Sequence, residues 1–338
     1  MALTFVMPRP SVPSGGHAYN QAMVAHWPGP PPATVQLDGP WPRGDDSSRR
    51  ALSAALQNSD AVLLDGLVGA AAPELIEEEA ARGARIVLLV HLPLAAEGGL
   101  SDADRRELAA LERRSVRAAW RVLATSRTAA SDLARSTGRS DIVAVPPGVE
   151  PAPAAEPHDP PRLLQVGSIG PRKNQLTTLV ALTACLDLPW TATFVGPVAD
   201  PDYAERFRAG LGGARSGWAG PLQGAELATA YAEADLLLHP AHAETWGMVV
   251  TEALARGVPA IVGAGTGAVE ALGSGSPDVL PGAAVPSDDP GALAEQLRRW
   301  LADPALRDEW RQRAQRARTA LRGWPEAAAE LARAAAKQ

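Results

Sequence analysis

The sequence is poor in two chemically informative residues, cysteine and lysine. Its one cysteine among 338 residues, Cys185, excludes an intramolecular disulfide and favours a reducing compartment. Lysine occurs only as Lys173 and, in the C-terminal tail, as Lys337, although lysine and arginine together number 32. A chain that otherwise uses arginine keeps a single interior lysine, so we expect a specific role for Lys173.

Long apolar runs are also missing. No run approaches the roughly 18 residues of a membrane span, and the N-terminus shows no basic region followed by an apolar core, so we expect neither a membrane-spanning helix nor a signal peptide. The net charge of −6 and the isoelectric point near 5.6 argue against generic nucleic-acid binding. We therefore expect a cytoplasmic protein that does not bind nucleic acid.

Short apolar runs alternate with helix-like segments along most of the chain. The predicted strands are Thr4–Met7, Ala61–Leu64, Arg85–Val90, Arg121–Ala124, Ile142–Val145, Arg162–Val166, Ala192–Val195, Asp235–Leu238 and Ala260–Val262. The predicted helices include Arg49–Gln57, Pro73–Arg82, Asp102–Ala119, Leu176–Leu186, Glu226–Ala232 and Gly247–Arg256. This alternation indicates βαβ units, which build parallel sheets covered by helices on both faces.

The length exceeds what one hydrophobic core usually serves, and a proline-dense segment marks a division. We predict an N-terminal domain over 1–150, a stiff linker over 151–161 and a second domain over 162–318. Residues 319–338 are predicted to form a helix that packs back on the N-terminal domain. The predicted fold class is α/β, with two Rossmann-like, doubly wound domains whose parallel sheets face a central cleft.

Two carboxylates separated by seven residues, Glu244 and Glu252, follow a predicted buried strand. Open α/β sheets bind ligands at the carboxyl ends of their strands, where Glu244 is expected. Glu252 is expected on the next helix, with Thr245 as its N-cap and a first turn suited to anions. A ligand of roughly 10 Å reaches both carboxylates at 1.5 Å rise per residue, which is the length of a nucleotide sugar.

The spacing of these glutamates leaves other interpretations open. Glu244 can simply favour the helix dipole while Glu252 lies on a solvated face. A glycosidase acid/base pair is a further alternative, although such pairs usually come from separate strands. At the level of function, a sugar-nucleotide epimerase or hydrolase of the same fold and a non-catalytic nucleotide-sugar-binding protein also remain open.

The segment LLQVGSIGPRKNQLTTL places a glycine loop and two cations after another strand. Arg172 and Lys173 stand at the predicted start of a helix, where positive charge opposes the helix dipole unless an anion is bound. A diphosphate is such an anion. GSIGPRKN supplies neither the glycine pattern of dinucleotide-binding folds nor a Walker loop.

Together these segments resemble the retaining glycosyltransferases of the GT-B fold, in the large family 4. The E-x7-E motif matches Glu244 and Glu252, and the motif G-x-x-x-x-[RK]-K-[GN] matches Gly167 to Asn174. WAGPLQGAELATAYAEADLLLHPAHAET resembles the family's base-binding loop and the helix after it. The resemblance covers nearly the whole chain and implies a retaining enzyme that moves a sugar from a nucleotide-diphosphate sugar to an acceptor hydroxyl, without cofactor or metal.

The resemblance implies roles for the matching residues of the second domain. Glu252 is expected to hold the ribose hydroxyls of the donor, and Glu244 hydroxyls of the donor sugar. Lys173 and Arg172 are expected to neutralise the departing diphosphate. The other expected donor-binding residues are Gly167, Ser168, Leu222, Thr245, Gly247, Met248 and Val249. Many family members have arginine where Ser168 stands, which leaves the role of Arg172 open.

The first domain has candidates of its own. Gly15 and Gly16 resemble the family's glycine loop against the donor phosphates, with an ordinary βα turn as the alternative. His91, at a strand end, resembles the family's cleft histidine near the transferred sugar and completes the expected catalytic set; a structural role is the alternative. The residues expected on the acceptor side are Asp65, His17 and Tyr19. Ser126 is interpreted as a helix N-cap.

Several features favour ordinary structural explanations. The DxD-like triplets Asp102–Asp104 and Asp200–Asp202 read as helix starts rather than metal sites, and the histidines have no paired ligands, so no metal site is predicted. The basic segment Leu111–Arg121 is either a solvated arginine face or a weak peripheral contact with anionic lipid. The expected partners are a nucleotide-sugar donor and a small-molecule, glycan or lipid acceptor.

Overall fold

The computed structural model of the chain describes residues 3–9, 14–276 and 278–336. The chain forms two compact units. Unit 1 contains the described residues up to Gly148 together with those from Trp324 onward, and unit 2 is Val149–Gly323. Lys337 lies outside the described residues.

Unit 1 is built on a six-stranded parallel sheet with the strand order β2-β1-β3-β4-β5-β6. Its strands are β1 (Leu3–Pro8), β2 (Ala33–Leu37), β3 (Ala61–Asp65), β4 (Arg85–Val90), β5 (Arg121–Ala124) and β6 (Val143–Ala144). Its helices are α1 (Gly15–Ala25), α2 (Asp46–Gln57), α3 (Gly66–Gly69), α4 (Pro73–Ala81), α5 (Asp102–Ala118), α6 (Arg127–Thr137) and the last helix of the chain, α14 (Trp324–Ala336). The order reverses between β1 and β3, which defines a topological switch point.

Unit 2 has a second six-stranded parallel sheet, in the order β12-β11-β10-β7-β8-β9. Its strands are β7 (Arg162–Val166), β8 (Thr191–Val195), β9 (Ser216–Trp218), β10 (Leu236–His239), β11 (Ala260–Gly263) and β12 (Gly282–Val285). Its helices are α7 (Gln175–Thr183), α8 (Pro201–Gly210), α9 (Gly224–Ala232), α10 (Met248–Leu254), α11 (Gly267–Leu272), α12 (Pro290–Ala302) and α13 (Pro304–Arg318). Here the switch point lies between β7 and β10.

The sheet of unit 2 is buried on both faces because successive strand residues point to opposite sides. Leu163 packs into one apolar cluster and Leu164 into another. On the neighbouring strand Leu236 and Leu238 join the first cluster, while Leu237 joins the second. Two cores therefore sandwich the sheet, and the near-continuous apolar strands follow from this double burial.

The proline-rich segment before β7 is bonded to unit 2. The Ala155 N–H donates to the Arg256 carbonyl oxygen at 2.9 Å, and the His158 N–H donates to Asp235 at 3.0 Å. The carboxylate of Asp235 is buried and also pairs with Arg311 at 2.6 Å. These bonds attach the segment to the strand that precedes the Glu244 loop.

The C-terminal helix α14 belongs to unit 1, where it packs against α1. The ring of Trp324 meets the ring of Tyr19 edge-on, with 6.2 Å between the ring centroids. The buried face of α14 consists of Trp324, Ala327, Ala328, Leu331, Ala334 and Ala335. Unit 1 therefore contains both an early and the last part of the described chain.

Candidate active site

The switch point of unit 2 brings together the two segments that the motifs single out. Strand β7 pairs with β10, with Leu164 opposite Leu237. The loop with Arg172 and Lys173 follows the first of these strands, and the loop with Glu244 follows the second. Because parallel strands end at the same edge of a sheet, the cations and the carboxylate lie side by side.

The loop after β7 is held in a conformation that needs glycine and asparagine. Gly167 has φ +153°, and a Cβ there would lie 3.2 Å from the Lys173 stem. Asn174 adopts the left-handed conformation, with φ 61°, and its amide donates to the carbonyl oxygens of Pro240 and Ser287 at 3.0 and 2.6 Å. The Gln165 amide donates to the Lys173 carbonyl at 2.8 Å. The backbone of Lys173 is thus fixed from both sides.

The side chain of Lys173 forms an ion pair with Glu244, and both side chains are largely buried. The Nε2 atom of His239 lies 3.1 Å from the same carboxylate oxygen. Burial raises the pKa of Glu244, but the Lys173 ammonium and the His239 ring more than offset this, so its pKa lies well below the usual range. Glu244 is therefore ionised at neutral pH.

His239 is buried at the end of β10, and this burial, with the nearby Lys173 charge, lowers its pKa. A neutral imidazole beside a carboxylate carries its proton on the nitrogen that faces the carboxylate, so Nε2–H donates to Glu244. Its Nδ1 atom has no hydrogen-bond partner among residues 3–9, 14–276 and 278–336. His239 therefore orients Glu244 through a single bond.

The start of α10 differs from the prediction. The N-cap is Gly247, with φ +88°, and the helix begins at Met248, so the predicted N-cap role of Thr245 is wrong. The chain turns through a left-handed conformation that glycine adopts at little cost, which places the helix start beyond Thr245. The Gly267 N–H donates to the Glu244 carbonyl at 2.7 Å, and a Cβ on Gly267 would lie 1.9 Å from the Thr245 carbonyl oxygen. This close approach fixes the Glu244 loop.

The other predicted donor-binding residues of unit 2 lie near this cluster or pack beneath it. Arg172 Nη1 lies 3.5 Å from the Ala243 carbonyl oxygen and contributes to the low pKa of Glu244. The Ser168 carbonyl accepts a bond from the Gln175 amide at 3.0 Å. The partly buried side chains that pack against the core on this side of the sheet include Leu222, Met248 and Val249. Contacts of these residues with a donor stay a prediction.

Glu252 is partly buried and its carboxylate is hydrogen-bonded within unit 2, which disagrees with its interpretation as a solvated face residue. The hydroxyl of Tyr231, on α9, donates to Glu252 Oε2 at 2.6 Å. Burial raises the pKa of Glu252, and the Tyr231 bond and the Arg256 charge lower it in part. Arg256 also donates to the Glu252 carbonyl at 2.9 Å, with its guanidinium 5.0 Å from the Tyr231 ring centroid.

Unit 1 has a second polar cluster, at the carboxyl ends of β3 and β4. His91 Nε2 lies 2.9 Å from Asn20 Oδ1 and 3.3 Å from Asp65 Oδ2. Both atoms accept hydrogen bonds, so Nε2 carries a proton. Asn20 Nδ2 donates to Asp65 at 2.6 Å. A Cβ on Gly16 would lie 3.2 Å from the His91 ring, so the glycine lets α1 approach this histidine closely.

The acceptor-side candidates have different surroundings. Asp65 is buried, accepts a bond from the Leu67 N–H at 2.8 Å, and faces His91 instead of an open surface. Burial raises the pKa of Asp65, but His91 and Asn20 more than offset this, so the pKa is lowered. Tyr19 is 1% exposed and its hydroxyl donates to the Val145 carbonyl at 2.9 Å, which places it in the core and not on an acceptor-facing surface.

Gly15 and His17 lie in the first turn of α1. The His17 N–H donates to the hydroxyl of the N-cap, Ser14, at 3.2 Å. The pair Gly15 and Gly16 therefore begins a helix, as a βα turn requires. Contacts of His17 with an acceptor, and of the two glycines with donor phosphates, stay predictions.

The structural explanations of several motifs are confirmed. Ser101 and Asp200 are the N-caps of α5 and α8, so the DxD-like triplets are helix starts. Ser126 is the N-cap of α6 and accepts a bond from the Ala129 N–H at 2.9 Å.

Among the described residues, no three or more His, Cys, Asp or Glu side chains are grouped to hold a metal ion, and no helix is long and apolar enough to cross a bilayer.

The predicted basic segment is partly engaged in contacts within unit 1. Arg114 pairs with Glu77 at 2.8 Å, and Arg117 donates to the Thr137 carbonyl at 2.8 Å. These bonds favour a role of α5 within the fold. Contact with a lipid surface stays a prediction.

Three functional candidates are missing from the sequence-based set. Asn20, Tyr231 and His239 each bond to a predicted site residue, and each is 1% exposed. Tyr231 and His239 both lie in the segment that resembles the family's base-binding loop and helix, and His239 also stands at the end of a predicted buried strand, shortly before Glu244. The bonds of Asn20 and Tyr231 arise from tertiary packing.

Family comparisons cover almost the whole chain. The family described as Glycosyl transferases group 1 matches residues 132–317, and the one described as Glycosyltransferase Family 4 matches residues 4–152. A D-inositol 3-phosphate glycosyltransferase of Kineococcus radiotolerans is 33% identical over 238 residues, which is 61% of this chain and 54% of that protein. The sulfoquinovosyl transferase SQD2 of Arabidopsis thaliana is 34% identical over 123 residues, or 36% of this chain and 21% of that protein.

The fold has many solved counterparts. One is Alr3699/HepE of Anabaena, solved in complex with UDP and glucose, which is 17% identical, covers 98% of each chain and superposes with a TM-score of 0.72. At this identity the likeness establishes the fold alone. The two six-stranded parallel sheets with their helices are those of the GT-B fold, which confirms the predicted fold class.

Proposed function

Because this chain belongs to the group 1 glycosyl transferases, we propose that it transfers a sugar from a nucleotide-diphosphate sugar to an acceptor hydroxyl, with retention at the anomeric carbon. One observation supports this most. Lys173 and Glu244, from loops after two neighbouring strands, are in contact at the switch point of unit 2. A cation that can bind a diphosphate and a carboxylate that can bind a sugar hydroxyl therefore lie next to each other in the same site.

Lys173 would stabilise the leaving diphosphate. Negative charge builds on this group as its bond to the sugar breaks, and a fixed cation lowers the barrier where the charge develops. An ammonium has three N–H donors, so Lys173 can contact a phosphate oxygen while it keeps its bond to Glu244. Arg172, which also acts on the Glu244 charge, would add a second positive charge. The acceptor hydroxyl would attack on the face that the diphosphate leaves and pass its proton to the departing phosphate oxygen, which gives retention.

The carboxylates would hold the donor at two points. Glu244, kept ionised by Lys173 and His239, would accept hydrogen bonds from donor-sugar hydroxyls. Glu252 would accept them from the ribose hydroxyls. In unit 1, His91, whose Nε2 proton faces Asn20 and Asp65, would contact the transferred sugar.

The names of similar proteins suggest substrate classes. Alr3699/HepE was solved with UDP, so a uridine donor is one candidate. The Kineococcus relative is named for D-inositol 3-phosphate, so a phosphorylated polyol is a candidate acceptor. Since the aligned region is about half of that relative, 54% of its length, the acceptor is a matter for direct measurement.

The test is an assay of the purified chain with UDP-, GDP- and ADP-sugars, with D-inositol 3-phosphate among the acceptors. We expect one donor to be consumed, with a glycosylated product in mass spectrometry and slow donor hydrolysis when acceptor is left out. A changed sugar on an intact donor would show an epimerase, and binding without turnover would show a binding protein. Either outcome would contradict transfer.

A further inference from the structure

Tyr231 holds a carboxylate that the proposed mechanism uses. Its side chain is 1% exposed, and its hydroxyl donates to Glu252 Oε2 at 2.6 Å, a short bond between helices α9 and α10. Burial raises the pKa of Tyr231 well above its usual range, so this hydroxyl stays protonated and can only donate to the carboxylate.

The other oxygen of Glu252 has a different environment. Within the described ranges 3–9, 14–276 and 278–336, no protein group bonds to Oε1. Since a carboxylate accepts through both oxygens, fixing one of them sets the direction in which the other accepts. The Tyr231 bond thus determines which way the remaining acceptor points.

We propose that Tyr231 is a positioning residue: its hydroxyl anchors Glu252 Oε2 so that Oε1 accepts hydrogen bonds from the ribose diol of the donor nucleotide. The proposal rests on the proposed function, because it assigns a nucleotide to Glu252. A polar hydroxyl buried in an apolar cluster is costly unless it is bonded, and this bond supplies its partner.

The same bond keeps the carboxylate ionised. Burial raises the pKa of Glu252, and the Tyr231 hydroxyl is the first of the groups that lower it, followed by the charge of Arg256 on its own helix. A protonated Glu252 loses acceptor capacity for the ribose diol. Loss of the Tyr231 hydroxyl therefore raises the pKa of Glu252 further, and nucleotide binding is lost at a higher pH on acidification.

Arg256 completes the arrangement around this pair. Its guanidinium lies 5.0 Å from the centroid of the Tyr231 ring and donates to the Glu252 backbone carbonyl at 2.9 Å. Arg256 therefore contacts both residues that this hydrogen bond joins: the ring of Tyr231 and the backbone of Glu252. Tyr231→Phe keeps the aromatic ring and leaves both contacts of Arg256 in place, so the substitution removes only the hydroxyl.

The experiment compares wild type with Tyr231→Phe by isothermal titration with UDP, GDP and ADP, using the full chain. The tightest of these nucleotides is then replaced by its 2′,3′-dideoxy form. We expect Tyr231→Phe to weaken binding of the normal nucleotide about tenfold and to leave the dideoxy form unchanged. We also expect the acidic limb of the affinity profile to move to higher pH.

Two variants serve as controls. Glu252→Gln tests the proposed function itself, because it removes the charge that the ribose diol would meet. Tyr203→Phe is the matched substitution: Tyr203 is also buried in unit 2, and its hydroxyl accepts a bond from the Leu176 N–H at 2.8 Å. We expect Tyr203→Phe to bind normal and dideoxy nucleotides in the wild-type ratio.

The outcomes distinguish the positioning role of Tyr231 from the proposed function. If Glu252→Gln weakens binding but Tyr231→Phe does not, or if Tyr231→Phe weakens normal and dideoxy forms equally, the positioning role is wrong and the proposed function stands. If Glu252→Gln leaves the affinity for each nucleotide unchanged, the ribose assignment fails and the positioning role fails with it.

Discussion

Two side chains bond to one carboxylate of unit 2 and stabilise its negative charge. Glu244 accepts from Lys173 and from His239, and its pKa is held well below the usual range. A buried carboxylate without such partners would take up a proton. The ionised state that the proposed sugar binding requires is therefore a property of the cluster and not of Glu244 alone.

His239→Phe tests this over a range of pH. Because the folded-state pKa of Glu244 is depressed, its contribution to stability is present above the unfolded pKa and is lost as pH falls through the folded pKa. Removing the His239 bond raises the folded pKa, so less of this stability is present at pH 7 and less remains to be lost on acidification. We expect His239→Phe to be less stable than wild type at pH 7 by about 1–3 kcal/mol, and we expect the difference to shrink as the pH falls below about 4.5. His239→Gln, which keeps an N–H donor, should lose less at pH 7; equal curves of thermal midpoint against pH for all three proteins would contradict the account.

Asp65→Asn probes the cluster of unit 1. The substitution replaces the carboxylate 3.3 Å from His91 Nε2 by an amide, so the ring loses the negative charge that faces this nitrogen and keeps the bond to Asn20. We expect kcat to fall up to about a hundredfold, as for a small misplacement of a reacting group, while donor affinity changes little. Asp60→Asn is the control, because Asp60 is exposed and lies just before the amino end of β3. An unchanged kcat for Asp65→Asn would show that this carboxylate is only structural.

Residue-scale prediction succeeded where one position carries its own signal. Lys173 stands out by composition and Glu244 by its motif, and the structure brings the two into contact. Asn20 and Tyr231 were missed because no motif marks either residue itself, although Asn20 follows Tyr19 and Tyr231 lies in the segment that resembles the base-binding loop and its helix. Their bonds join residues 45 and 21 positions apart, so only the folded chain reveals them.

At the scale of the element, α5 contains a buried acid that the site does not use. Burial raises the pKa of Glu112 to about 7, and its carboxylate accepts a hydrogen bond from the Leu94 N–H, at 3.1 Å, in the turn after β4. The folded state thus keeps a proton that the unfolded chain releases from about pH 4.5 upward. Stability therefore falls as the pH rises through this window.

Glu112→Gln should remove that dependence. The amide oxygen can still accept from Leu94, and no charge has to be buried. At pH 8 we expect the variant to be more stable than wild type by up to about 3 kcal/mol, from 1.36 kcal/mol per pKa unit, and at pH 4 we expect no difference. Thermal midpoints at the two values measure this; a variant less stable at pH 8 would show that the ionised carboxylate contributes favourably.

The strands show which elements the sequence pattern predicts and which it misses. The bounds of β4, β5 and β7 match the predicted ones, whereas β2, β9 and β12 were not predicted. These three lie at edges of the sheets, where one neighbour is missing. An edge strand is short and buried on fewer sides, so it needs no continuous apolar run and leaves little trace in the sequence.

At the scale of the whole molecule, unit 1 is completed by the last helix of the described chain. Helix α14 packs on α1 through Trp324 and Tyr19, although the residues between Gly148 and Trp324 build unit 2. Unit 1 therefore cannot acquire its full core until the C-terminal residues are present. The sequence analysis predicts a C-terminal helix over 319–338, but only the structure shows the ring of Tyr19 against which Trp324 packs.

Trp324→Ala should destabilise unit 1 selectively. Removing a buried tryptophan costs about 3–5 kcal/mol, and the cavity would open beside α1. Hydrogen exchange should therefore accelerate in α1 and α14 and stay as in wild type in α7 of unit 2. The matched variant Trp310→Ala, from the core of unit 2, should do the reverse. Equal acceleration in both units for Trp324→Ala would contradict the division.

The central claim is that Lys173 and Glu252 of unit 2 hold one nucleotide, by its phosphates and by its ribose. Its most direct test is isothermal titration of wild type, Lys173→Ala and Glu252→Ala with UDP, GDP and ADP and with the matching nucleosides. We predict that Lys173→Ala loses roughly ten- to a hundredfold in affinity for the diphosphate and little for the nucleoside, whereas Glu252→Ala weakens both. Undiminished affinity of both variants for all three nucleotides would contradict the account.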